Sequence, residues 1–466
     1  MTTSLTAARA PTERVIALFG LVIVADLLIW GVAPGLGFVA LILCIALGAQ
    51  LFWGRFNWQA WLGLGICLIP AVETFQFLSF TFAMLGLAGF CAVQICCGTV
   101  PRGAVIAAAL RLPFWGNVQT GRDVASALRG GVDLRHSAAT GLAGLRDWIV
   151  PGVLGAVFIL LFGLANPVID GWLLAMWPER WPAMPDPTRV IFWVLIALFV
   201  WPMLRLRAVS ARLLAPLRLP QTLPRGILSA GSVLRSLVTF NAIFAVQTVL
   251  DVAYLSGGIS LPDGIGYAEY AHRGAYPLLV TALLAGGFAL LTQPWLAGRP
   301  VLRWLLLIWV AQNVVLVISS ILRLDLYVDV YGLTRLRFAA FVWMVLVALG
   351  LTLMIWQVLA ERPVLWLFAQ SAALAWIALF AVSLTNVDGR IAQHNLTHSS
   401  GSFDPWYVCN LSAGALPAIR AWEAENGRRL CHSREPYLRQ SDDWREWGYR
   451  NARLRHKLNE MKGVTG

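Results

Sequence analysis

Apolar residues along this chain gather into runs of about 20, the length that carries a helix across a bilayer. They do not alternate with polar residues, which argues against an outer-membrane barrel. Eleven runs are read, at 15–33, 36–53, 58–75, 77–97, 149–168, 190–204, 236–255, 274–293, 301–322, 338–359 and 364–385. The sixth is short and can extend back into the Trp- and Pro-rich stretch before it, and only a few residues near Glu73 and Gln76 separate the third from the fourth. The pattern predicts an all-α, polytopic helical membrane protein with about eleven transmembrane helices over 1–385. Within 98–148, Ala104–Leu112, ended by Arg111 and Pro113, and Asp123–Arg129 read as one or two helices on the membrane surface. After Thr385 the runs stop. The tail, 386–466, holds 12 basic and nine acidic residues and reads as a small helical appendage, with helices over 413–426 and 441–461. Ser441, Asp442 and Asp443 would cap the second.

Arginine placement orients the spans. With the N-terminus inside, inner segments hold eighteen arginines and outer loops six. The N-terminus is therefore expected to be cytoplasmic and the tail periplasmic. Composition agrees with the class: 58% of residues are hydrophobic and 13% charged, against about 25% charged in soluble domains. Mean hydropathy is +0.69. The net charge of +12 sits mainly in the short connections, so it points to membrane orientation and not to nucleic acid. The expected partners are membrane lipids, with anionic headgroups facing the Arg-rich loops 98–148 and 205–235. Lys457 and Lys462 are the only lysines, a bias that suggests a GC-rich bacterial genome and hence an inner membrane.

Polar residues inside apolar runs are the first candidates for chemistry, because an ionised side chain at the bilayer centre costs about 2.5–3.5 kcal/mol on insertion scales. Asp26 lies in the first run, Asn241, Gln247 and Asp251 in the seventh, and Gln312 and Asn313 in the ninth. Either they bond neighbouring spans together or they line a pathway. A second group gathers at the outer membrane edge under the assigned topology: Asp251, Glu269, Arg273, Tyr327, Tyr331, Arg337, Asn386 and Asp388, with Arg323, Asp325 and Asp329 among them. Tyrosines alone would form an interfacial belt, but anchoring does not explain the carboxylates and arginines. A salt-bridged collar and a lined site both remain open. Glu269 precedes Arg273 by four positions, so the two can also simply pair along one helix.

Cys409 and Cys431 are the tail's cysteines and would pair in an oxidising compartment. Cys44, Cys67, Cys91, Cys96 and Cys97 lie in or beside spans and read as small apolar residues. His394 and His398 are four apart, but no ligand set accompanies them, so no metal site is expected. No dinucleotide fingerprint, phosphate-cradling loop, zinc-protease motif or nucleophile elbow is found, and no cofactor is expected.

Three stretches resemble a bacterial family of multi-spanning inner-membrane proteins defined only as a domain of unknown function. They are Tyr267-Ala-Glu-Tyr-Ala-His-Arg-Gly274, Tyr327-Val-Asp-Val-Tyr-Gly-Leu-Thr-Arg-Leu-Arg337 and Asn386-Val-Asp-Gly-Arg-Ile-Ala-Gln-His-Asn395. The first departs from the family's Tyr-x-Glu-Tyr-Ala-Arg-x-Gly by one place at its arginine. The resemblance covers roughly 225–425 and implies no activity. Three functions stay open. A transporter or export component would use Asp251 and Glu269 as proton or cation carriers. An enzyme on a lipid-linked substrate would use Glu269 or Asp388 as general base. A non-catalytic scaffold or sensor would read its surroundings through the tail.

Overall fold

The computed structural model describes residues 11–53, 56–96, 102–129, 186–206, 210, 213, 229–255, 280–281, 283–398, 404–432, 434–439 and 441–464. These residues form helices and connections, and no strand occurs among them. In chain order the helices are α1 (Pro11–Ile29), α2 (Leu36–Trp53), α3 (Trp58–Glu73), α4 (Phe77–Cys96), α5 (Arg102–Arg129), α6 (Pro187–Leu204) and α7 (Ala230–Leu255). After a helical stretch at 283–292 come α8 (Pro300–Tyr331), α9 (Arg335–Leu359), α10 (Val364–Leu384), α11 (Val387–His398), α12 (Pro405–Cys409), α13 (Leu416–Asn426) and α14 (Tyr449–Val464).

Seven of the described helices, α2, α4 and α6–α10, are long and apolar enough to cross a membrane. Their flanks expose large apolar side chains such as Val246, Val249, Ile308 and Leu365, as lipid-facing helices require and as soluble domains do not in such density. The protein is a multi-pass membrane protein. Of the other expected spans, α1 carries Glu13, Arg14 and Asp26, α3 has only 16 residues, and 149–168 lies outside the described residues, as does most of 274–293.

Several expected boundaries shift. Of the one or two helices read in 98–148, one is seen, α5, and it runs through Pro113 and on to Arg129. α6 starts at Pro187 behind the N-cap Asp186, whose side chain accepts from the Thr188 N–H at 3.0 Å, so Arg189 belongs to the helix and not to a loop. α7 begins at Ala230, inside the stretch read as a loop. In the tail, Asp443 caps a 3-10 turn, Trp444–Glu446, and the extended Trp447 delays α14 to Tyr449.

Contacts divide the chain into two compact units, one of 1–66 and 84–217, the other of 67–83 and 218–466. In the first, α6 packs against α1, α2 and α5. In the second, α8 is the hub, packed along α7 on one side and α9 on the other. Trp309 centres that core, its ring 5.1, 5.7 and 5.6 Å from those of Phe240, Phe244 and Phe288. α8 has 32 residues, or about 48 Å by the standard helical rise. That exceeds what a bilayer needs, and its last turns continue beyond the apolar run with Asp325 and Asp329 exposed.

A smaller core holds the tail together. Ile391, Ala392, Val408, Ala415, Ile419 and Leu430 are buried in it, and Leu333, from the α8–α9 connection, packs against it. A disulfide joins Cys409 to Cys431 across this cluster. On another side, α14 docks through Arg450, which donates to Glu73 Oε1 at 3.1 Å and to the Ser383 carbonyl at 3.1 Å.

Candidate functional site

The α7–α8 seam carries the polar residues expected inside spans, apart from Asp26. The two helices run side by side in the same direction. Asn241 Nδ2 donates to the Leu305 carbonyl at 2.9 Å, Gln312 Nε2 donates to the Asn241 carbonyl at 3.4 Å, and further along Arg323 pairs with Asp251. Positions 241, 248 and 251 of α7 fall on one helical face, as do 309, 313, 316, 320 and 323 of α8.

Asp251 is fully buried, at 0% exposure, and Arg323 nearly so, at 3%. Arg323 Nη2 and Gln247 Nε2 both donate to the same carboxylate oxygen, Oδ1, the latter at 2.6 Å. The other oxygen, Oδ2, has no hydrogen-bond partner among the described residues. The same holds for Asn241 Oδ1, Thr248 Oγ1, Gln312 Oε1 and Asn313 Oδ1, and for the Trp309 indole N–H. Asn313 spends its amide N–H on the Trp309 carbonyl one turn back, at 2.8 Å. Buried polar groups normally find partners, because leaving one bare costs about 1–3 kcal/mol. Among the described residues, these atoms form a file along a single helix pair.

A second cluster lies at the C-terminal end of α8. Gly332 ends the helix with φ +74, a left-handed conformation that disfavours any Cβ, and an added Cβ would stand 3.0 Å from Asn395 Oδ1. The turn lets Leu333 meet Asn395 in both directions: its N–H donates to Oδ1 at 2.6 Å and its carbonyl accepts from Nδ2 at 2.9 Å. Thr334 then caps α9, accepting from the Arg337 N–H at 3.3 Å. Arg335 forks onto Asp388, Nε to Oδ1 at 2.7 Å and Nη2 to Oδ2 at 2.6 Å, and the Ser412 N–H adds a bond to Oδ2 at 2.9 Å. The Arg335 backbone N–H donates to the Tyr407 hydroxyl at 2.8 Å. Burial pushes the Asp388 carboxyl up, but the bonds from Arg335 and Ser412 outweigh it and hold the group below the usual carboxylate range. Asn386 Nδ2 donates to the Gly414 carbonyl at 2.9 Å, and its Oδ1 accepts from the Gly389 N–H at 3.1 Å. Two of the three stretches picked out above, 327–337 and 386–395, thus interlock into a clasp between the α8–α9 turn and the tail.

Among the described outer-edge residues, Asp251 stands apart from the rest. Asp251 pairs with Arg323 in the seam, about 12 Å along α8 from Tyr331 by helical rise. Arg337 lies 4.5 Å over the Tyr327 ring and donates to the Tyr331 carbonyl at 2.8 Å, with the Tyr327 and Tyr331 rings 4.7 Å apart. Asn386 and Asp388 belong to the clasp. Glu269 and Arg273, with the whole 267–274 stretch, lie outside the described residues.

Asp26 belongs to the first unit, where Arg189 forks onto both its oxygens and the Trp193 indole N–H donates to Oδ1 at 2.8 Å. Arg335 was missed in sequence as the clasp's cation, and Arg189 as the partner of Asp26. No group of three or more His, Cys, Asp or Glu arranged for a metal occurs among the described residues. His394 and His398 do share a helical face, their rings stacked 5.1 Å apart.

Comparison with known proteins adds one match. No curated protein and no solved structure matches the chain. A family model described as Domain of unknown function (DUF4153) matches residues 15–421. That match takes in both the α7–α8 seam and the clasp, and the protein belongs to this DUF4153 family.

Proposed function

We propose that the protein is an inner-membrane transporter, or the transporting component of an envelope pathway, in which the α7–α8 seam conducts protons or a small cation. The file of buried acceptors, Asn241, Gln312, Asn313, Thr248 and Asp251, carries this reading. Such groups can be satisfied by water or by the passing ion, and an ionisable residue held among spans marks a pathway by default. In this reading eleven spans leave the N-terminus cytoplasmic and the tail periplasmic, as the arginine imbalance favours.

Asp251 is the carrier. A proton arriving at Oδ2 neutralises the carboxylate and weakens its attraction for Arg323. Loss of the proton restores the pair. The test is proton flux into liposomes containing the purified protein, driven by a potassium diffusion potential. Wild-type vesicles are expected to acidify faster than empty ones and Asp251→Asn vesicles to match the empty ones; equal rates for wild type and empty liposomes would refute the proposal. Should Asp251→Asn fail to fold, Asn313→Leu probes the same file without removing a charge.

The clasp favours a second, narrower reading for the tail. Both Asp388 oxygens are engaged, which suits a rigid platform for another envelope component.

A further inference from the structure

A cleft of about 680 Å³ opens beside the clasp, where α10 ends at Leu384 and Thr385. Three tail helices wall it. α11 presents Arg390, Gln393 and Thr397, α13 presents Trp422 and Glu425, and α14 presents Arg453 and Lys457. The volume falls in the ~300–1,000 Å³ range of small-ligand sites. Three cations face it against one carboxylate.

The cations are unequally committed. Arg453 stands 3.8 Å from Glu73 and 5.5 Å from the centre of the Tyr449 ring. The side chains of Arg390 and Lys457 are exposed and make no hydrogen bond or ion pair with any described residue. The acids near the cleft are mostly used elsewhere. Glu423 accepts from Arg420 and from the Leu430 N–H, and Asp388 is held by Arg335. Around the charges lie apolar walls, Leu384, Leu396, Leu454 and Trp422. α10 is one of the helices long and apolar enough to cross a membrane, so its end is expected near the lipid headgroups.

From this we infer that the cleft binds a phosphate group, held by Arg390, Lys457 and Arg453 through charge-assisted hydrogen bonds. This site is distinct from the α7–α8 seam, and its reading does not depend on transport. A phosphate can come from an anionic lipid headgroup or from a free anion.

Hydrogen exchange on the full-length protein separates the two. Three samples are compared: nanodiscs of phosphatidylcholine, the same discs with 30 mM inorganic phosphate (roughly; the concentration only needs to exceed a weak dissociation constant of about 1 mM tenfold), and discs half phosphatidylglycerol. Slower exchange in α11 and in 449–457 with phosphatidylglycerol alone identifies a lipid headgroup. Slower exchange with inorganic phosphate as well identifies a site for the free anion. In either arm, Arg390→Gln with Lys457→Gln should abolish the protection, each change weakening binding by about tenfold. Arg453→Gln serves as an independent variant if the pair does not fold. No protection in wild type under either condition, or protection that survives the substitutions, would overturn the inference. The Arg-rich loops also attract anionic lipid, but they lie elsewhere in the sequence, so exchange at the cleft helices reports on this site alone.

Discussion

Asp251 and Asp388 are both buried carboxylates paired with arginine, yet their surroundings differ. Asp388 receives three bonds, one on Oδ1 and two on Oδ2, and joins a turn to a disulfide-linked tail. Asp251 crowds two donors onto one oxygen and leaves the other without a partner among the described residues, like several further acceptors along the same seam. On the transport reading proposed above, the less fully bonded carboxylate between membrane helices is the one that takes up a proton, and the more motif-rich region serves the structure.

The comparison can be broken at several points. The largest effect is expected at Arg323. Arg323→Ala strands Asp251 as an unpaired buried charge and should cost about 3–5 kcal/mol, read as a fall in thermal unfolding temperature in detergent. Arg323→Leu combined with Asp251→Leu should recover most of that loss. Next comes the tail disulfide, which closes a loop with a sequence separation of 22. Cys431→Ser should lower the tail's stability by about 3 kcal/mol in the chain-entropy model, seen as faster proteolysis within 404–432 and no change in the spans.

Asp388→Ala should cost about 2 kcal/mol by removing charge-assisted bonds, again confined to the tail and the α8–α9 turn. Its pH dependence follows from the depressed carboxyl. The folded pKa lies below the unfolded value of about 3.9. The stabilisation is therefore present above pH ~4 and is lost as pH falls through the folded pKa. Exchange at the Leu333 and Ser412 amides should accelerate only below about pH 4 in wild type, and Asp388→Ala should remove that step. The smallest effect is expected at Gly332, where alanine meets both a positive φ and Asn395; a loss of about 1–2 kcal/mol is expected.

Much of the fold was legible because lipid imposes a simple rule: about 20 apolar residues for each crossing. Helices α2, α4, α6, α7, α9 and α10 follow it closely, and α8 overruns it. Where the sequence misled, local chemistry overrode composition. Pro113 sits inside α5 although it reads as a breaker. The α8 helix continues through Asp325 and Asp329, because four-residue spacing puts both on one exposed face. The site was legible only in part. Asp251, Gln247, Asn241, Gln312 and Asn313 were identifiable as polar positions in apolar runs, and the structure places them along one seam. Their partners were not readable. Arg323 lies 72 residues from Asp251 and Arg335 lies 53 from Asp388, and nothing local distinguishes either from an arginine that orients a span. The choice between Arg335 and Arg337 was decided by the cap at Thr334, which turns Arg337 back over Tyr327 and leaves Arg335 facing the tail.

The most direct test sets the two carboxylates side by side in one assay. Proton flux is measured in liposomes containing wild type, Asp251→Asn or Asp388→Asn at matched protein content. Asp251→Asn is expected to abolish flux, and Asp388→Asn to leave it within about twofold of wild type while loosening the tail, since the clasp does not touch the seam's acceptors. Flux that survives Asp251→Asn, or that is lost equally in both variants, would contradict the assignment of function to the seam and structure to the clasp.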